Sequence, residues 1–218
     1  TLSGVTLDDT IIGYGGIDIS TGLAFEGIYK APSGSTVLNP ITTLLVNLMS
    51  EGETLTDAIA IIKSDLGITT SVDLLADPIA SALASTGTLQ ADYVTLQMIN
   101  IKIDNTIGQI AAALDGAGIS TEIIAYDVIS AELASMLLAG DVDLSDSADL
   151  NTLISNSTTA LGGALTSTAQ ADLVSIILNT NTVITDSVTT TSTALEAFEA
   201  LAKVQIAAEE VENELEEG

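Results

Sequence analysis

Cysteine and histidine are both absent from the 218 residues of this chain. Without cysteine there can be no disulfide bond and no thiolate metal site. Without histidine the chain lacks the commonest general base and the commonest ligand of transition metals, and a Ser-His-Asp triad is excluded. A catalytic serine–lysine dyad would need one of the four lysines, and none of them lies in a recognisable catalytic motif. We therefore expect a protein that is not an enzyme.

Basic residues are scarce as well. The four lysines stand against 30 acidic residues, so the net charge is −26. Nucleic acids and anionic lipid surfaces are bound through clustered cations, and we expect neither as a partner. Salt or divalent cations would screen the self-repulsion of such a surface. An excess of acidic residues of this size fits a protein exposed to a saline or calcium-rich environment outside the cell. The alternative is that the acidic residues only keep the chain soluble.

Aromatic residues make up only 3% of the chain, and tryptophan is absent, yet hydrophobic residues reach 47% with a mean hydropathy of +0.50. This composition excludes a disordered acidic tail, which would combine high charge with low hydrophobicity. No apolar run approaches the ~18 residues of a transmembrane helix. A core built from alanine, isoleucine, leucine and valine favours closely packed helices, because small side chains let helix axes approach one another.

The first 38 residues differ from the rest. Two runs rich in β-branched and aromatic residues, 10–12 and 23–29, flank a glycine-rich segment, Gly13-Tyr14-Gly15-Gly16. This pattern predicts two short strands or a hairpin that ends at the Ala31-Pro32-Ser33-Gly34 segment. We interpret residues 1–38 as a short β region, either the end of a preceding β-domain or a segment available for strand addition.

Residues 39–218 show repeated helix signals. Capping residues, two of them followed by proline, mark helix starts, and glycines mark helix ends. The predicted starts lie at Asn39, Thr54, Asp77, Thr88, Ser120, Ser147, Thr166 and Thr193, and the predicted stops lie near Gly52, Gly67, Gly87, Gly116, Gly140, Gly162 and Thr189. The sequence therefore predicts a mainly α protein, with roughly 55 to 65% helix in seven or eight helices after the short β region.

Three segments together resemble a known module. They are GGIDISTG at 15–22, FEG at 25–27 and APSGSTVLNPITTL at 31–44, and weaker similarity continues at 66–79 and 202–204. They resemble a helical module of very large secreted bacterial proteins of the surface or adhesin-like type, which often also carry cadherin-like or calcium-binding repeats. The module there usually follows an immunoglobulin-like β-domain, and this chain is expected to begin near the last strand of such a domain.

The resemblance implies an extracellular or cell-surface location and a structural or adhesive role, with no catalytic residues to transfer. The expected partners are other domains of the same large protein or copies of this chain. A subunit of a self-assembling extracellular filament or surface layer is an alternative, because exposed strand edges can add strands. A ligand- or glycan-binding domain is a further alternative, against which the scarcity of aromatic residues counts.

Two acidic segments are candidate calcium sites, although the fold requires no cofactor. The first has four carboxylates and hydroxyl groups within residues 141–149, and oxygen is the ligand that calcium prefers; its candidate ligands are Asp141, Asp143, Ser145, Asp146 and Asp149. It is not an EF-hand loop, because Asp146 stands where glycine is needed and Thr152 where glutamate is needed. The alternative is a solvated loop with a helix cap. The second candidate comprises Asp8, Asp9 and Asp18 beside the glycine-rich segment, and the alternative is that these residues bind no ion.

Overall fold

The computed structural model describes residues 9–17, 21–25, 27–140 and 142–217. The protein is mainly helical, at 68%, and within the described residues a two-stranded antiparallel hairpin precedes eight helices. The elements are β1 (Thr10–Tyr14), β2 (Ile28–Pro32), α1 (Pro40–Ser50), α2 (Leu55–Asp65), α3 (Pro78–Ala84), α4 (Gly87–Gly116), α5 (Glu122–Ala139), α6 (Ser147–Ala160), α7 (Ser167–Thr189) and α8 (Ala194–Glu217). The predicted fold class is confirmed, with slightly more helix than expected.

The hairpin pairs Thr10 with Pro32 and Tyr14 with Ile28. The first strand lies where the pattern predicted it, but the second begins at Ile28 instead of Leu23. Close packing at Gly27 explains the shift. A Cβ added to Gly27 would come within 2.8 Å of the Tyr126 ring, so the chain passes tightly against helix α5 at this residue, and regular pairing starts only after it.

Capping side chains define most of the helix starts. The Asn39 side chain accepts a hydrogen bond from the backbone N–H of Thr42, and the Thr42 hydroxyl accepts one from the backbone N–H of Asn39, which is a reciprocal capping box. Thr54, Asp77 and Thr166 cap α2, α3 and α7 as predicted. The prediction that Ser120 caps α5 is wrong: Thr121 is the N-cap residue, and its side chain makes no capping hydrogen bond.

The 30-residue helix α4 is the centre of the fold. It contacts α1, α3, α5, α7 and α8, and its fully buried residues are mostly isoleucine, leucine and alanine. Helix α8 packs along it with two points of close approach, at Gly108 and Gly116. Glycine allows this approach because it has no Cβ. In the described part of the chain, no helix is long and apolar enough to cross a membrane.

Candidate functional site

An open cavity of about 820 Å³ lies where the hairpin meets the helices. Its lining residues come from the hairpin and the segment after it, from the start of α3, and from α4, α5 and α8. The side chains that give the cavity its chemistry are Phe25, Tyr29, Asp104, Glu122, Tyr126, Glu209 and Glu212. The cavity thus has an aromatic side and an acidic side.

Three aromatic rings form the first side. Phe25 and Tyr29 stack with ring centroids 4.2 Å apart, and Tyr126 of α5 meets both edge-on at 6.0 Å. Edge-to-face and stacked ring pairs add to the stabilisation that burial alone provides. The chain has only six aromatic residues, four tyrosines and two phenylalanines. Half of them are therefore concentrated where the hairpin meets the helical body.

Asp104 of α4 joins the aromatic side to the acidic side. The Tyr29 hydroxyl donates a hydrogen bond of 2.6 Å to Asp104 Oδ1, and the Tyr126 hydroxyl donates a second to the same oxygen. Hydrogen bonds to a charged acceptor are the stronger ones in proteins. Burial, followed by the charge of Asp104, raises the pKa of Tyr126 well above its usual value of 10.0, so the phenol stays protonated and remains a donor. One carboxylate oxygen thereby links β2, α4 and α5.

The acidic side brings carboxyl groups from three helices together. Glu212 of α8 lies near enough to Asp104 of α4 and Glu122 of α5 to feel their charges, and its carboxyl group lies directly against Gly108. Burial raises the pKa of Glu212 well above 4.5, and the negative charges of Asp104, Glu209, Glu122 and Glu216 raise it further. A protonated Glu212 relieves part of this repulsion, so packing of α8 against α4 near Gly108 is more favourable when this carboxyl group carries its proton.

The first predicted calcium loop uses its described carboxylates as hydrogen-bond acceptors for its own backbone. Asp146 is the N-cap of α6 and accepts from the N–H groups of Ala148 and Asp149 at 2.7 and 3.2 Å. Asp149 accepts from the N–H of Asp143, and Asp143 accepts from the N–H of Ser145, both at 2.8 Å. Asp141 lies outside the described residues.

A lysine stands beside this loop. Lys102 of α4 lines a cavity of about 400 Å³ together with Asp65, Asp143 and Ser145. Burial lowers the pKa of Lys102, and the nearby charge of Asp143 opposes that change. An ammonium group already near the carboxylate competes with any divalent cation, so calcium binding there would have to overcome a positive neighbour.

Most of the second predicted calcium site lies outside the described residues. Asp8 and Asp18 lie outside the described residues, and Asp9 is exposed beside β1. Among the described residues, no group of three or more Asp, Glu, His or Cys side chains is arranged to hold a metal ion. Calcium binding by either set stays a prediction.

Sequence reasoning did not identify the cavity. Its acidic members come from α4, α5 and α8, and α8 follows α5 only after two further helices. Among 30 acidic residues their spacing carries no signal. The pair Phe25 and Tyr29 was visible in the sequence, but its partner Tyr126 is about 100 residues away. No protein-family model, curated protein or solved structure matches this chain.

Proposed function

We propose that this chain is a non-catalytic structural or adhesive module of a secreted protein of the cell surface or extracellular matrix. One observation carries the proposal: the N-terminal hairpin is fastened to three different helices of the body. A module in a multidomain surface protein must keep a fixed orientation between its entry segment and its main body. The attachments of the hairpin would hold the N-terminal segment in one orientation relative to the helices.

The attachments are of several chemical kinds. Lys30 of β2 forms a salt bridge of 2.5 Å with Asp127 of α5, and its backbone N–H donates to the Thr43 hydroxyl of α1 at 2.9 Å. Tyr29 bonds to Asp104 of α4. Because these contacts lie on α1, α4 and α5, none of these three helices can move away from the hairpin without breaking one of them.

The motif resemblance and the charge support the same role. Segment 31–44, which carries part of the resemblance, spans the end of β2 and the start of α1, and the described residues 15–17 of the other segment directly follow β1. A net charge of −26 keeps an aliphatic-rich module soluble in a saline exterior and limits non-specific association.

Immunogold labelling of intact producing cells, with antibodies raised against the purified chain, tests the location. Labelling at the outer surface or in the matrix is expected, and labelling confined to permeabilised cells would contradict the proposal.

Single-molecule pulling tests whether the attachment of the hairpin to the helices resists force. Pulling from a handle before β1 should unfold the wild type at higher force than Tyr29→Phe, which keeps the ring and removes the hydroxyl bonded to Asp104. Equal forces would show that this attachment carries no load.

The exposed side of β1 favours a filament or surface layer as a second candidate. Within the described residues β1 pairs with β2 alone, which leaves its other edge open. The large apolar side chains Ile12, Tyr14 and Ile17 are 54%, 72% and 70% exposed. Open apolar strand edges promote pairing between chains.

Mass in solution as a function of concentration, together with electron microscopy, separates the two candidates. For a filament, oligomers should grow with concentration, and Ile12→Lys should abolish them. Leu195→Lys is the matched control, because Leu195 at the start of α8 is exposed to a similar extent, 57%, and is not part of the hairpin. A monomer at all concentrations supports the module.

A further inference from the structure

Lys30, Asn47 and Asp127 bring an amine, a carboxamide and a carboxylate together at the base of the hairpin. The Nζ of Lys30 lies 2.5 Å from Asp127 Oδ1 and 3.4 Å from Asn47 Oδ1, to which it donates a hydrogen bond. The three residues come from β2, α1 and α5. The amine thus lies within reach of an amide carbonyl and a proton acceptor at the same time.

The surroundings hold the three groups in place. Asn47 is buried in α1 one turn after Thr43, whose hydroxyl accepts the backbone N–H of Lys30 at 2.9 Å. The Lys30 side chain is only 18% exposed, and Asp127 Oδ1 is buried. Reacting groups that are held in contact react as if at very high concentration, because the cost of bringing them together has already been met in folding.

An unsatisfied atom points to a reaction of the amide. Asn47 Nδ2 is buried and has no hydrogen-bond partner. A buried polar group without a hydrogen-bond partner lowers the stability of the folded state. A reaction that expels this nitrogen would remove that cost, and the cationic lysine side chain would lose its charge in the same event.

We propose that Lys30 and Asn47 form an intramolecular isopeptide bond, with Asp127 as the general base. Asp127 Oδ1 accepts one proton from the Lys30 ammonium group, which leaves a nucleophilic amine. The lone pair of Nζ attacks Cγ of Asn47, and the carbonyl electrons move to Oδ1.

The tetrahedral intermediate then collapses. A second proton passes from Nζ to Nδ2, the Cγ–Nδ2 bond breaks, and ammonia leaves. The third proton remains on the new amide nitrogen, which can donate to Asp127, and the proton held by Asp127 is released to solvent. No oxidant, metal or other reactant is required. The Asp127 side chain is 43% exposed, which gives the proton and the ammonia a route out.

Such a bond would tie β2 covalently to α1 in a chain that has no cysteine with which to form a disulfide. It would close a short loop between residues 30 and 47 and restrict the unfolded chain, as other cross-links do. The proposed bond depends only on the three side chains. Its formation would replace the Lys30–Asp127 salt bridge with a hydrogen bond from the new amide, so the attachment of β2 to α5 would remain.

The intact mass of the purified full chain tests the bond directly. The wild type is expected to be lighter than its sequence mass by one ammonia, and proteolysis should yield a branched peptide that joins Lys30 to Asn47. Lys30→Arg, which keeps the cation beside Asp127, and Asn47→Ala should both show the full sequence mass. Asp127→Ala should show the full mass as well, because the base is missing.

Lys63→Arg is the matched control. Lys63 Nζ donates to the backbone carbonyls of Thr70 and Val72, so its replacement should leave the bond intact. A folded wild type with its full sequence mass would overturn the proposal without reference to any variant. Loss of ammonia without the branched peptide would also overturn it, since a cyclised asparagine elsewhere gives the same mass. Loss of water with a branch between Lys30 and Asp127 would show that Asn47 is not the acceptor.

Discussion

Gly116 at the end of α4 lies directly against the backbone carbonyl of Leu215 in α8, because a Cβ added to this glycine would come within 2.2 Å of that oxygen. A backbone atom cannot move aside as a side chain can. We therefore expect Gly116→Ala to displace the end of α8 and to lower the free energy of unfolding by about 1–3 kcal/mol, the usual cost of overpacking. Urea denaturation measures the change.

Gly108→Ala is the matched control in the same helix. The added Cβ would meet the Glu212 carboxyl group at 2.7 Å, but that group ends a flexible side chain and can shift. Alanine also favours a helix over glycine by about 1 kcal/mol. We expect this variant to stay within ~1 kcal/mol of the wild type. Equal destabilisation by both substitutions would show that the contact with Leu215 is not the reason.

The second prediction concerns pH. The pKa of Glu212 is higher in the folded protein than its ordinary 4.5, so the folded state binds its proton more tightly than the unfolded state does. The stability that this proton supplies is fully present below pH 4.5 and is lost as pH rises through the higher, folded-state pKa. Glu212→Gln should therefore raise the melting temperature at neutral pH and change it little at pH ~4.

Glu214→Gln removes the same charge from an exposed position of α8 and serves as the control. It should change the pH dependence far less than Glu212→Gln does. If both variants gave the same profile, the general negative charge of the chain would account for the effect, and the burial of Glu212 near the charges of Asp104 and Glu122 would not.

The third prediction concerns the start of α1. Asn39→Ala removes the side chain that accepts the Thr42 N–H at 2.8 Å, and should lower the free energy of unfolding by ~1 kcal/mol. Thr86→Ala is the control, because Thr86 is the N-cap of α4 but makes no side-chain capping bond. An equal loss in both variants would contradict the capping role.

The sequence predicted most helix starts because capping is local. Asn39, Thr54, Asp77 and Thr166 satisfy backbone donors within three residues of themselves, and such contacts can be recognised from spacing alone. The start of α8 carries the same kind of signal: Glu196 accepts from the backbone N–H of Thr193, and Thr193 accepts in return from that of Glu196.

The contacts that build the cavity could not be predicted in this way. Tyr29 and Tyr126 meet at Asp104 only because three elements converge, and no local rule relates residues 29, 104 and 126. The shift of β2 has the same origin, since the close approach of Gly27 to Tyr126 is a tertiary contact. Tertiary packing overrides local preference at these places.

The fourth prediction concerns a buried polar contact between α4, α7 and the loop before α6. Asn181 is 1% exposed; its Nδ2 donates to Thr106 and to the Leu144 carbonyl, and its Oδ1 accepts from Asn105. Asn181→Ala leaves several buried groups without partners, so we expect a loss of about 2–4 kcal/mol in urea denaturation. Thr182→Ala, at an exposed neighbouring position, should cost far less.

The last prediction returns to calcium. Divalent cations should raise the melting temperature, and monovalent salt should raise it less, because both reduce repulsion within a chain of net charge −26. A specific site would add a saturating contribution that grows with the logarithm of free calcium above its dissociation constant. Comparing calcium with magnesium at matched ionic strength separates the two effects, and we expect a modest preference for calcium.

Asp143→Asn should remove that preference if the loop before α6 binds the ion, because Asp143 is the loop carboxylate that shares a cavity with Asp65 and Ser145. Asp186→Asn removes one charge from an exposed position of α7 and should leave the preference unchanged. Identical melting curves in calcium and magnesium would show that cations stabilise the protein only by diffuse screening of its charge. A calcium preference that survives Asp143→Asn would place the ion elsewhere, with Asp8, Asp9 and Asp18 as the next positions to replace.

Lys102→Met provides a second test of the same loop, because it removes the ammonium group that competes with calcium beside Asp143. This variant should strengthen calcium binding at the loop before α6 and should have no effect on calcium binding at any other site.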